Sequence, residues 1–217
     1  MLGFDVTLIK KQGFTLAEVL ITLVIIGVVA AITLPTVVAN SNEQALRSAL
    51  KKNYSILEQA ARRYHADNGI PLDDETIASW SLIKSDFFDR YFNVSCTDLE
   101  CKADKEIVYK NLKGTMDTTV KFPSNYSMIL TDGTFIVYAW TNSLYKYRYV
   151  YVDVNGPYKN PNRLGKDLFF FELQLSGRLV PGGSSESHWP EDVYCNNYDW
   201  ANNGQGCTAK VIRDKNS

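Results

Sequence analysis

One carboxylate in this sequence lies inside an otherwise apolar segment. Between Phe14 and Val38 the only ionisable side chain is that of Glu18. A charged residue within a membrane-spanning helix is energetically costly, and such residues usually have a function and a partner. Cleavage between Gly13 and Phe14 would create an α-amino group close to Glu18. A helix does not easily fold its own terminus back onto its fifth residue. We therefore expect the amine to pair with Glu18 of a neighbouring subunit and to set the register between helices.

The apolar segment is long enough to cross a membrane. Residues 14–38 would span about 37 Å as a helix, against about 30 Å for a hydrocarbon core. Lys10 and Lys11 directly precede the segment and fewer positive charges follow it, which predicts a cytoplasmic N-terminus and an extracytoplasmic remainder. The alternatives are a plain anchor or a secretory signal peptide. A signal peptide usually has a shorter apolar region, of about 7–15 residues, and Val29-Ala30-Ala31 is a poor cleavage site.

The residues around the expected cleavage point resemble those of a known family. Residues 10–21 read Lys-Lys-Gln-Gly followed by Phe-Thr-Leu-Ala-Glu-Val-Leu-Ile. They closely resemble the processing site of type IV pilins and type II secretion pseudopilins. The resemblance implies that a prepilin peptidase cleaves after Gly13 and that the new N-terminal Phe14 is methylated. It also implies an assembly role for Glu18, Gly27 and Pro35, which lie where family members often carry Glu, Gly and Pro.

The same resemblance implies a function, partners and a location. It predicts a structural subunit that polymerises into a type IV pilus or a type II secretion pseudopilus. The expected partners are other pilin-like subunits, of the same or another chain, the prepilin peptidase and an inner-membrane assembly platform. The expected location is the bacterial inner membrane, crossed once, with the assembled form in the periplasm or on the cell surface. The alternative is a minor pilin that acts at a filament tip as a binding module for DNA, a substrate or a surface.

A second helical pattern follows the apolar segment. Apolar residues recur there at spacings of three and four, on one helix face: Leu46, Leu50, Tyr54, Leu57, Ala61 and Tyr64. Asn68-Gly69 followed by Pro71 predicts the end of the helix. We therefore predict one long helix from about Phe14 to about Asn68, kinked or locally melted at Pro35.

Strand patterns begin near Ile107. Tyr126–Leu130 and Thr134–Trp140 flank Thr131-Asp132-Gly133, which predicts a hairpin. Tyr147–Val154 and Leu168–Leu175 are further strand candidates, and a turn at Ser176-Gly177 leads into a last one, Arg178–Val180. These segments predict an α+β fold, with an antiparallel sheet of about four strands packed on the amphipathic half of the long helix. The expected organisation is a leader over 1–13, a membrane and filament-core helix over 14–39 and an extracytoplasmic domain over 40–217. One or two short helices are expected before residue 92, and a long loop after residue 181.

Four cysteines offer a tether for the C-terminal loop. Cys96, Cys101, Cys195 and Cys207 allow three pairings, and an extracytoplasmic location favours disulfides. We favour Cys96 with Cys101 and Cys195 with Cys207, because each pair closes a short local loop. The alternative is a four-thiolate zinc site, but the spacings lack the close Cys-x-x-Cys pairs of most such sites. A C-terminal disulfide loop is common in type IV pilins, and Cys195–Cys207 resembles it.

A turn-rich segment carries the weak metal candidates. Asp153, Asn155 and Asp167 offer hard oxygen ligands of the kind that Ca²⁺ prefers. The third acidic position and the closing glutamate of an EF-hand loop are missing. Some pseudopilins hold Ca²⁺ in a loop of the C-terminal sheet, so the family resemblance adds some support. The alternative is an Asn-Gly turn in which an Asp side chain accepts hydrogen bonds from backbone amides. We predict no firm cofactor.

The remaining patterns argue against catalysis and against nucleic-acid binding. The net charge is -1, with 23 Lys and Arg against 24 Asp and Glu, whereas a phosphate-binding chain needs a basic face. Neither His65 nor His188 belongs to a recognisable nucleophile motif, so we predict no catalytic residues and no enzyme. Four tyrosines alternate in a way that suggests a base-stacking surface, but a period of two is more simply one face of a strand. They are Tyr145, Tyr147, Tyr149 and Tyr151.

Overall fold

A computed structural model describes residues 13–72, 83–101, 106–140, 148–174 and 176–214. The chain forms two compact units, one up to Asn42 and one from Glu43 onwards. Helix α1, Leu16–Asn68, runs through both without interruption. The local melting predicted at Pro35 is therefore not observed: a proline removes one N–H donor, and the flanking residues remain helical. The helix ends as predicted, with Gly69 at a positive φ of 71° and its N–H bonded to the carbonyl of His65 at 2.9 Å.

The second unit is an α+β domain built on a six-stranded antiparallel sheet. The strands are β1 Val94–Thr97, β2 Ile107–Lys110, β3 Asp117–Phe122, β4 Ser127–Leu130, β5 Phe135–Trp140, β6 Arg148–Asp153, β7 Leu168–Leu173 and β8 Leu179–Pro181. The sheet order is β1-β4-β5-β6-β7-β8, and β2 and β3 form a separate pair. The prediction of about four strands is thus too low. The strand predicted over Arg178–Val180 is β8, whereas the edge strand β1 escapes a pattern search because it is short and its register is irregular between Val94 and Cys96.

The sheet packs on α1 through one of its faces. The buried side chains of α1 are Leu50, Asn53, Leu57, Ala60 and Tyr64, on the helix face that the sequence predicts. Beside them, Tyr54 stacks on Phe171 of β7, with ring centroids 5.5 Å apart. The hydroxyl of Thr134 donates a hydrogen bond to the buried amide of Asn53 at 3.4 Å. This contact connects the helix with the β4–β5 hairpin.

The opposite face of the sheet has its own core, covered by β2, β3 and the C-terminal segment. Tyr109 of β2 and Phe122 of β3 both pack on Phe135 of β5. Further along the sheet, Tyr149 and Phe170 pack against Trp189 of the C-terminal segment. Two layers of side chains therefore cover both faces of the sheet, which explains why every residue of β6 and β7 is buried.

The C-terminal segment is more ordered than the predicted loop. It contains helical turns at Glu191–Tyr194, Gln205–Cys207 and Thr208–Arg213. Two disulfides join the predicted pairs, Cys96–Cys101 and Cys195–Cys207. Residues 83–91 likewise form short helical turns, as expected. Residues 73–82, which include the rest of the predicted helical stretch, lie outside the described residues.

Candidate functional site

The first half of α1 exposes its apolar side chains on all sides. Among residues 13–45 every side chain is exposed except that of Ala30, which is partly buried. The exposed side chains include Phe14 at 89% and Ile32 at 71% of their full accessible area. Within the described residues, α1 is a helix long and apolar enough to cross a membrane. An apolar surface of this extent is stable only in lipid or against other helices.

Thr15 and Glu18 form a capping box at the start of α1. The backbone N–H and the hydroxyl of Thr15 donate hydrogen bonds to Glu18 Oε2 at 2.8 and 2.9 Å. In return the N–H of Glu18 donates to the Thr15 hydroxyl oxygen at 3.2 Å. Glu18 therefore has neutral hydrogen-bond donors within its own helix end, and the charged partner expected from a neighbouring subunit stays a prediction. The sequence carries the signal for this capping box, because Thr-x-x-Glu before an apolar run is its signature.

The expected cleavage point lies just before this box. Gly13 and Phe14 precede the first helical residue, Leu16, and both are exposed. A peptide bond in an exposed, non-helical segment can enter a protease site as an extended strand, whereas a helical one must first unfold. Gly27 has open space around the position where a Cβ would stand, so nothing within the described monomer requires glycine there. The roles of Gly27 and Pro35 in assembly stay predictions.

The hydroxyl groups within the apolar segment are satisfied by their own helix. Thr22 donates to the carbonyl of Val19 at 2.9 Å, and Thr33 donates to the carbonyl of Val29 at 3.0 Å. Bonds of this kind remove the cost of placing a hydroxyl in lipid. Glu18 is thus the only charged group that the described apolar segment presents to its surroundings.

The metal candidates Asp153 and Asp167 lie together, buried beside Tyr109. Both carboxylates are fully buried. Asp153 Oδ1 accepts hydrogen bonds from the N–H groups of Asn155 and Gly156 at 3.0 and 2.9 Å, and Oδ2 accepts one from the Tyr109 hydroxyl at 2.5 Å. Burial, and then the negative charge of Asp167, raise the pKa of Asp153 to about 7. These two effects outweigh the hydrogen bonds, which favour the ionised form.

The hydrogen bonds of this cluster fit turn capping better than Ca²⁺ binding. Asp167 accepts hydrogen bonds from the N–H groups of Asn162 and Arg163, both at 2.7 Å. All four carboxylate oxygens of the two aspartates are therefore already acceptors. The side-chain oxygen of Asn155 is buried without a hydrogen bond among the described residues, but it is a single neutral ligand. No group of three acidic, His or Cys side chains able to hold a metal occurs within the described ranges.

The other sequence candidates are placed as follows. Tyr149 and Tyr151 are buried against the sheet, at 7% and 5% exposure, so they do not form a base-stacking surface. Tyr145 and Tyr147 lie outside the described residues. His188 contacts the buried carboxylate of Glu172, both through its backbone N–H at 3.1 Å and through Nδ1. The Ser187 hydroxyl donates to the same carboxylate at 3.4 Å, and these contacts hold the 184–189 segment on the sheet.

Comparison with known proteins bears on the N-terminal segment. The sequence model of the prokaryotic N-terminal methylation motif matches residues 8–34. Comparisons with curated proteins and with solved structures find no match to the chain. The matched residues contain the expected cleavage point, the capping box and most of the exposed apolar helix. The chain therefore carries, over residues 8–34, the N-terminal methylation motif that is the signature of type IV pilins and type II secretion pseudopilins.

Proposed function

We propose that this chain is a structural, non-enzymatic subunit that polymerises through the first half of α1 after cleavage between Gly13 and Phe14. The methylation motif over residues 8–34 carries the proposal. It coincides with a helix segment whose apolar side chains are exposed in the monomer. Before assembly that segment lies in the membrane, and after assembly the same surface packs against the helices of other subunits.

The proposal includes an orientation and a set of partners. The N-terminus is cytoplasmic because Lys10 and Lys11 flank the apolar segment on that side. The domain from Glu43 onwards is then extracytoplasmic, and its two disulfides are those of an oxidising compartment. A prepilin peptidase, an assembly platform in the inner membrane and further pilin-like subunits are the partners. The filament is a type IV pilus or a type II secretion pseudopilus.

The binding-module alternative receives less support from the described surface. A tip module that captures DNA needs an exposed aromatic or basic surface. On β6 the tyrosines are buried, and in the C-terminal segment Trp189 and Trp200 each pack on Tyr194, so that none of the three faces solvent fully. Among the aromatic residues of that segment, Tyr198 is well exposed, at 75%. We therefore favour the plain structural subunit.

N-terminal mass spectrometry of the membrane-bound protein tests the proposal. The mature chain is expected to begin at Phe14 and to carry a methyl group on its amine. Gly13→Val should block cleavage, because a side chain at that position obstructs the peptidase, whereas Gly27→Ala, a change at a glycine within the apolar segment, should leave cleavage intact. Retention of Met1, or cleavage near Ala31, would contradict the proposal.

A further inference from the structure

The two carboxylate oxygens of Glu18 have different surroundings. Both Thr15 donors, the backbone N–H and the hydroxyl, reach Oε2. Oε1 accepts no hydrogen bond from any residue that the structure describes. A carboxylate oxygen has two lone pairs, and each hydrogen-bond donor that it gains lowers the cost of placing the carboxylate in lipid. The capping box therefore fixes one oxygen and leaves the other open.

We propose that Thr15 is a positioning residue for assembly: it holds the Glu18 carboxylate at the start of α1 with Oε1 open to the Phe14 α-amino group of a neighbouring copy. This inference rests on the function proposed above. The neighbour's amine then adds to the capping box and does not displace it, so the membrane monomer and the assembled subunit share one carboxylate conformation.

The physical advantage is preorganisation. A glutamate side chain has three rotatable bonds, and pairing it with an amine inside an apolar bundle requires ordering all three. In the capping box the Glu18 side chain is already ordered in the monomer, by its hydrogen bonds to Thr15. The carboxylate also keeps two donors while the monomer waits in the membrane, which lowers the cost of its burial. Because the bonds to Thr15 are kept on assembly, only the preordering favours addition of the next subunit: the carboxylate loses less conformational entropy on pairing than a free side chain would.

The hydroxyl of Thr15 makes one more hydrogen bond than helix capping requires. For capping, the Thr15 hydroxyl oxygen only has to accept the N–H of Glu18, which it does at 3.2 Å. The hydroxyl proton is additionally donated to Oε2, and this bond acts on the carboxylate and not on the helix backbone. Serine keeps both bonds, and valine, which has nearly the shape of threonine, loses both. The pair of substitutions therefore separates side-chain shape from hydroxyl chemistry.

The test compares Thr15→Val and Thr15→Ser with Thr22→Val in the full chain. Thr22 lies in the same segment and its hydroxyl bonds only a backbone carbonyl, so it is a matched control. We measure amide hydrogen exchange at Glu18 in detergent micelles, N-terminal processing by mass spectrometry, and sheared filaments against the membrane fraction. Thr15→Val should speed exchange at Glu18 and lower filament yield about fivefold or more, the effect typical of a lost cap. Thr15→Ser and Thr22→Val should match the wild type.

The readouts separate this inference from the proposed function. If the wild-type chain is not cleaved before Phe14, the proposed function fails, and the assembly role of Thr15 falls with it. Cleaved Thr15→Val that exchanges fast at Glu18 but assembles at wild-type yield would reduce Thr15 to a helix cap. Unchanged exchange at Glu18 in Thr15→Val would overturn the hydrogen-bond geometry itself, and equal loss of filaments in Thr15→Ser would overturn the role of the hydroxyl.

Discussion

The Tyr109 hydroxyl donates a buried hydrogen bond to Asp153, and this bond joins the two sheets of the domain. Tyr109 belongs to the β2–β3 pair, whereas Asp153 ends β6 in the centre of the six-stranded sheet. The same carboxylate caps the turn at Asn155 and Gly156. Asp153 thus couples the packing of the small sheet to the conformation of the 154–167 loop. Its protonation state bears on both.

Stability should fall with rising pH through this group. The pKa of Asp153 is raised from 3.8 to about 7, chiefly by burial, so the folded state binds the proton more tightly than the unfolded state. Its contribution to the free energy of unfolding is full below about pH 4, and it is lost as the pH rises towards about 7. Asp153→Asn removes this dependence because an amide does not titrate, and the amide oxygen can still accept both turn N–H groups. The difference between its melting temperatures at pH 5 and pH 8 should therefore be smaller than that of the wild type, by about 3 °C or more.

The control for this experiment is Asp117→Asn. Asp117 is an exposed carboxylate of β3 that pairs with Lys110 at 3.2 Å. This variant should keep the pH dependence of the wild type, measured by tryptophan fluorescence on the full chain in detergent. The same slope in Asp153→Asn as in the wild type would show that Asp153 does not titrate in this range.

Added Ca²⁺ should leave the melting temperature unchanged. The oxygens of Asp153 and Asp167 already accept hydrogen bonds, and Ca²⁺ would have to replace those donors. The measurement is thermal unfolding in millimolar Ca²⁺ and in EDTA. A tightly bound ion, present at 100 times its dissociation constant, would stabilise the fold by about 2.7 kcal/mol. A rise of several degrees that Asp167→Asn abolishes would establish a Ca²⁺ site in this loop.

Loss of the Cys195–Cys207 disulfide should cost more stability than loss of the Cys96–Cys101 disulfide. The two bridges have sequence separations of 12 and 5, so the chain-entropy model assigns them about 3 and about 2 kcal/mol. The longer bridge also tethers the segment that contains Thr208, whose hydroxyl accepts the N–H of Phe170 in β7. Urea unfolding of the two double Cys→Ser variants tests the order. A larger loss in the Cys96 and Cys101 variant would show that loop length does not govern these contributions.

Glu18→Ala should insert in the membrane at least as well as the wild type, but should not form filaments. The substitution removes a costly charge from the apolar segment, which favours insertion. In the assembled state it leaves the amine of the neighbouring Phe14 without a counter-charge, at a cost of about 3–5 kcal/mol for each subunit. Comparison of sheared filaments with the membrane fraction measures the effect. The melting temperature of the domain from Glu43 onwards should stay the same.

A control outside the apolar segment accompanies this variant. Glu43 is an exposed acid of α1 that pairs with Arg47 at 2.8 Å. Glu43→Ala should assemble normally, because its carboxylate lies in the half of the helix that belongs to the domain. Filaments of Glu18→Ala at wild-type yield would leave no assembly role for Glu18.

Local sequence patterns were enough to predict the elements that depend on neighbours in the chain. The helix over Leu16–Asn68, its buried face and its glycine end follow from periodicity and from backbone preferences. The hairpin around Asp132 follows from turn chemistry, and the two disulfides follow from short loop closure. The capping box of Thr15 and Glu18 also depends only on residues three positions apart, and its Thr-x-x-Glu signature is present in the sequence.

Other features depend on residues far apart in the sequence, and only the tertiary structure decided them. The edge strand β1 is too short to show an alternating pattern, and it is a strand because β4 offers it hydrogen bonds. The sequence offers Asp153 and Asp167 as weak Ca²⁺ candidates and, as the alternative, a turn in which an Asp accepts backbone N–H groups, as Asp153 does from Asn155 and Gly156. The hydroxyl of Tyr109, 44 positions before Asp153, is the donor that only folding supplies. Such donors come from loop closure and packing, whose energies no local pattern records.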